Sequence, residues 1–164
     1  MSGQLNYTYQ TPVGVAGGLY DLSPKSIDAR INGETDVAKL KFGMGVVQGS
    51  NPGTDVLVPV AASTLEQFEG VIMNGFTNEM GMTGEVCIFP RQTVGVLRWG
   101  RLWVRVADGV EPAYGESLHL IIDGADAGKF TNTAGTDTLE INGIFIGALG
   151  TGNVAPAMLY NQKA

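Results

Sequence analysis

The sequence predicts an all-β fold, a small β-barrel or sandwich with an extended N-terminal arm and at most one or two short helical turns. Three observations carry this. Glycine makes up 24 of 164 residues, about twice its usual share, without the three-residue period of collagen. Short valine-rich apolar runs recur at close spacing with turn sequences between them. Hydrophobic residues are 44% and charged residues 16% of the chain, enough to bury a core. The length suits a single β domain, 25–164, preceded by an arm, 1–24.

The arm, "NYTYQTPVGVAGGLYDLSP", mixes tyrosines, prolines and glycines with no sustained period. Tyr7, Tyr9, Val13, Val15, Leu19 and Tyr20 are too apolar for a solvated linker, so the arm is expected to order by docking on something. Fully extended, residues 1–21 reach at most roughly 70 Å. "SPKSIDARING" is compatible with a short helical turn, with Ser23 as cap, Pro24 first and Gly33 past the end. "AKLKFGMGVVQG" alternates around Phe42 and ends in the turn "GSNPGTD". "DVLVPVAA" reads as a strand, and Pro59 places it at a sheet edge. Ser63 and Glu66 have capping-box spacing, which predicts one helical turn before the strand "FEGVIMN". "EVCIFP" is a short apolar run, and "ESLHLII" reads as a strand. "LEINGIFIGALGTGNVAPAMLY" supplies two final strands joined through "GTGN".

The net charge of -6, with no basic tail or stripe, argues against a nucleic-acid partner. The longest apolar runs are far too short to span a bilayer, so no membrane partner is expected. The start lacks a basic region followed by an apolar run, so synthesis and folding in a cytoplasm are expected. Cys87, the only cysteine, reads as a small core residue, and His119, the only histidine, as a strand residue. Neither can furnish a zinc site, and no cofactor is expected. Asp123, Asp126 and Asp137 flank a polar loop whose spacing matches no calcium loop. Nothing places two of Glu66, Glu69 and Glu79 on facing walls of a cleft. No constellation argues for an enzyme.

The stretch "TVGVLRWGRLWVRVADGV" is the unusual one. Both tryptophans and four of the five arginines (Arg91, Arg98, Arg101 and Arg105) lie between residues 91 and 105 of an otherwise acidic chain. A hairpin centred on Trp99 and Gly100 would put Leu97, Leu102, Val104 and Val106 on a core face. Its other face would carry Val94, Val96, Arg98, Arg101, Trp103 and Arg105. Arg and Trp are the residues most enriched at binding hot spots, so Arg98, Trp99, Arg101, Trp103 and Arg105 are the candidate interface with a protein partner.

Three ordered stretches resemble the structural cement, or capsid decoration, proteins of tailed bacteriophages. They are "GGLYDLSPKSIDARIN" leading to "KFGMGVVQG"; "FEGVIM" with "TVGVLRWGRLWVRV"; and "VEPAYGESLHLII" with "GKFTN" and "INGIFIGALGTGNVAPAMLY". The resemblance implies a compact β fold (barrel, sandwich or tulip-like) and no enzymatic activity. It implies a virion protein on the outer capsid surface, a homotrimer, and a major capsid protein as partner. The implied arm contacts fall on Tyr7, Tyr9, Leu19 and Tyr20. Tyr114, in "PAYGES", departs from the plainer turn residue expected there. Two other readings stay open: another phage head or tail module, and a small sugar-binding β domain stacking its ligand on Trp99 and Trp103.

Overall fold

The computed structural model describes residues 13–75 and 86–161. Nine strands and one 3-10 turn form two β units that share one long strand. The strands are β1 (Ser26–Asn32), β2 (Gly45–Gln48), β3 (Asp55–Leu57), β4 (Phe68–Ile72), β5 (Thr93–Arg105), β6 (Ser117–Ile121), β7 (Phe130–Thr131), β8 (Thr138–Phe145) and β9 (Val154–Leu159). The first five run in the order β1-β3-β2-β4-β5, and β1 pairs with β5 to close a five-stranded barrel. The C-terminal half of β5 continues into a second sheet in the order β5-β9-β8-β6-β7. A bridge from Val106 to Phe130 brings β7 back to the end of β5.

Each unit has its own core. Val46, Val56, Ile72, Val94 and Val96 fill the five-stranded barrel together with Leu40 and Ile88. Leu97, Leu102, Val104 and Val106 join Phe68, Phe130 and Phe145 in the larger core of the second unit. Each of those phenylalanines is at most 1% exposed, and burying one side chain of this size stabilises by about 1.5–3 kcal/mol.

The hairpin expected at Trp99–Gly100 is absent, because β5 runs unbroken for 13 residues. The expected core face holds together, but Val94 and Val96 of the expected outward face fill the barrel core and Trp103 is buried. Leu97 shares a core with Leu102, so the side-chain parity reverses between them. A β-bulge does this: Ile27 pairs with Leu97 while the preceding Ser26 pairs with Trp99, leaving Arg98 as the extra residue. β4 bulges beside it. Val46 faces Gly70 and Val47 faces Phe68, leaving Glu69 extra. Gly70 sits at φ +143, and a Cβ there would lie 2.2 Å from the Leu97 carbonyl oxygen, so only glycine fits.

Other expectations change with tertiary context. The helical turn at "SPKSIDARING" is the strand β1, because Asp28, Arg30 and Asn32 alternate inward against Val96, Val94 and Val56. Its apolar positions, Ile27 and Ile31, point outward. β3 lies between β1 and β2 and is not an edge, and Pro59 follows its end. The 3-10 turn occupies Leu65–Gln67, and its cap is Thr64, whose N–H donates to Gln67 Oε1 at 3.0 Å. The described part of "EVCIFP" forms no strand beyond a bridge at Val86. Buried Asn32 holds this run by donating its Nδ2 to the Phe89 carbonyl at 3.0 Å.

Candidate functional site

The expected interface residues lie along β5, and the chain's own elements cover several of them. Arg98 reaches into the barrel. Its Nη1 is 2.6 Å from Glu69 Oε2 and 3.6 Å from Asp28 Oδ2. Arg30 Nη2 approaches the same two carboxylates at 3.2 and 3.0 Å, and Gln48 Nε2 donates to Glu69 Oε1 at 2.8 Å. Glu69 is only 3% exposed. Burial pushes its carboxyl upward, but Gln48 and the Arg98 and Arg30 guanidiniums outweigh burial and hold it below the usual carboxylate range. The two adjacent bulges therefore supply the acid and the base of one internal network.

Trp103 is also covered from within. Residues 17–20 lie against β5 as an irregular extra strand. Trp103 N–H donates to the Gly18 carbonyl at 2.8 Å, Gly17 N–H to the Trp103 carbonyl at 2.7 Å, and Tyr20 N–H to the Arg101 carbonyl at 3.1 Å. The Tyr20 ring lies 5.9 Å from the Trp103 ring. A Cβ on Gly14 would sit 2.1 Å from Trp103 Nε1, so a bare backbone is what lets the segment cross the indole. Leu19 bridges Leu102. Thus Leu19 and Tyr20, expected on a capsid partner, pack half-buried on their own β5. Tyr7 and Tyr9 fall outside the described residues.

Arg101 pairs with Asp21 at 2.9 Å on the surface. Asp21 also accepts the Ser23 hydroxyl and backbone N–H, contacts that hold its carboxyl below the ordinary range along with Arg101. This fixes the turn that presents Leu22, 92% exposed. The same turn leads into Ser26, opposite Trp99, which is 37% exposed. Leu22 and Trp99 are thus two large apolar side chains that this part of the chain leaves exposed. With Trp103 buried, the two tryptophans do not form a sugar-stacking platform.

Arg105 faces a different environment. Its Nε donates to the Phe42 carbonyl at 2.8 Å, and burial pushes its guanidinium below its ordinary value. It lines a cavity of about 440 Å³ with Lys39, Lys41, Lys129 and Glu34. These cations come from three separate segments, so no local pattern in the sequence announces them. His119 is buried on β6 opposite Thr131 and Glu140. Asp126 pairs with Lys129 at 2.7 Å, and Asp123 accepts the Gly124 N–H. Among the described residues, no group of three or more His, Cys, Asp or Glu side chains could hold a metal ion. Tyr114 is 76% exposed and caps no core.

Comparison with known proteins decides the family. The structural cement protein family (E217 gp24/Pam3 gp6) matches residues 4–160. The chain belongs to this family. It is a non-enzymatic structural protein of the phage virion, located in the capsid. A solved chain described as "The capsid of Myoviridae Phage XM1" shares the fold with a TM-score of 0.69 at 22% identity, covering 97% of this chain and 98% of that one. No curated protein matches the sequence. For a cement-family chain, the geometry separates residues that build the fold (Arg98, Trp103, Leu19, Tyr20) from those that face outward. Those that face outward include Trp99, Arg101 and Tyr114, the cations of the Arg105 cavity, and Leu22, which the sequence reading missed.

Proposed function

We propose that the chain binds the outer face of a tailed-phage capsid as a homotrimer, contacts the major capsid protein and stabilises the shell. The observation that carries this reading is the family match across residues 4–160, nearly the whole chain. The net charge of -6 suits a surface turned away from packaged DNA. Self-association uses the exposed Trp99 and Leu22, since large exposed apolar side chains gain most from being covered. The arm before residue 13, with Tyr7 and Tyr9, contacts the shell, and three arms per trimer add avidity.

The test is co-sedimentation of the purified protein with undecorated shells, followed by heating of the decorated shells. Binding with a raised disruption temperature is expected. Binding without any gain in shell stability would leave a decoration protein that is not a cement. Sedimentation of the free protein as a monomer at every accessible concentration would remove the trimer.

A further inference from the structure

The cavity beside Arg105 is a cationic site in an acidic molecule. Four of the chain's ten lysines and arginines line it: Lys39, Lys41, Arg105 and Lys129. Two carboxylates answer them. Glu34 approaches Lys39 at 3.4 Å while accepting the Val58 N–H, and Asp126 approaches Lys129 at 2.7 Å. Among the described residues, no carboxylate comes within ion-pair range of Lys41 or Arg105. Four cations against two anions leave the site at +2 in a chain of -6.

Arg105 is partly buried, and a guanidinium removed from water without a counter-charge is costly. Only its Nε is engaged, by a carbonyl, and the two terminal nitrogens form the fork that grips a carboxylate bidentately. Gly124, Ala125 and Ala127 leave the far wall open, and Met44 offers apolar surface for a short aliphatic stem. A cavity of about 440 Å³ admits one or two side chains.

We propose that this cavity receives a Glu or Asp side chain from an acidic segment of the capsid's shell protein. The inference rests on the shell-binding function proposed above and adds the chemistry of one contact. A nucleic acid is the poorer occupant, because two uncompensated cations in one cavity make no phosphate-tracking stripe. A second copy is poorer too, because self-association is already assigned to the exposed Trp99 and Leu22.

The test compares Lys41→Glu and Arg105→Gln with Arg91→Glu, a charge reversal outside the cavity, in binding titrations against undecorated shells. Lys41 is exposed, so its variant keeps the fold if Arg105→Gln does not. Both cavity variants should lose shell affinity by roughly tenfold or more, with an unchanged sedimentation coefficient, while Arg91→Glu binds as the wild type. Wild-type affinity in Lys41→Glu would overturn the site alone. Loss of the oligomer in that variant would make the occupant a second copy and overturn the proposal. So would calorimetric binding of inorganic phosphate by the wild type, lost in Lys41→Glu, with shell affinity intact. A wild-type chain that binds no shells would overturn the proposed function together with this contact.

Discussion

The two tryptophans, four residues apart on one strand, have opposite roles. Trp103 is 6% exposed beneath Gly14 and Tyr20, whereas Trp99 is 37% exposed. Trp103→Ala should destabilise the fold by about 3–5 kcal/mol, read as a shift of the urea midpoint. Trp99→Ala should change stability by less than about 1 kcal/mol and lower the oligomer mass in sedimentation. The reverse pattern would exchange their assignments. Glu69 carries a separate expectation. Its folded carboxyl lies below the usual glutamate range, so its stabilisation is present above that range and is lost as pH falls through the depressed folded value. Glu69→Gln should therefore lower stability at neutral pH and flatten the loss seen on acidification below about pH 4.3. Parallel acid titrations of wild type and variant by urea unfolding check this. At neutral pH the cost should be on the order of 3 kcal/mol, since Arg98 and Arg30 would lose their shared buried carboxylate.

Among the elements, the described part of the segment before β1 packs on the fold. Residues 14–20 cover Trp103 and bond to β5, so they belong to the β unit even though the sequence reads as one arm, 1–24. Deleting 2–12 should leave the urea midpoint within the error of the wild type while shell binding falls sharply. Deleting 2–20 should in addition lower the midpoint and alter tryptophan fluorescence. Equal shell binding by the shorter deletion would mean that the β units alone hold the capsid. The long strand shows what a sequence can and cannot disclose. The division of Leu97, Leu102, Val104 and Val106 from Arg101, Trp103 and Arg105 was legible, because alternating burial writes itself into residue type. Its cause was not. A turn and a bulge both reverse side-chain parity, and only the partners, β1 on one half and β9 on the other, distinguish them. β1 misled for a related reason. Its charged face points inward to meet Glu69, inverting the usual pattern, and Glu69 lies 39 positions from Arg30. The cations around Arg105 are likewise gathered by folding and leave no spacing to read.

At the scale of the whole molecule, two β units built on one strand place the outward-facing groups on a scaffold held by two separate cores. The chain carries a buried charge network in the five-stranded barrel, an exposed tryptophan midway along β5 and a cationic cavity beside Arg105 at the end of β5. This distribution suits a protein that assembles and holds position. At low protein concentration the free chain should sediment between monomer and trimer, moving toward trimer as concentration rises, with Trp99→Ala displaced toward monomer. The central claim, that this member of the cement family binds the outside of a capsid, is tested most directly by imaging undecorated shells after saturation with the purified protein. The account predicts density of the two-unit shape on the outer face at positions obeying the shell's symmetry, in clusters of three. Shells whose outer surface stays bare at saturating protein would contradict it.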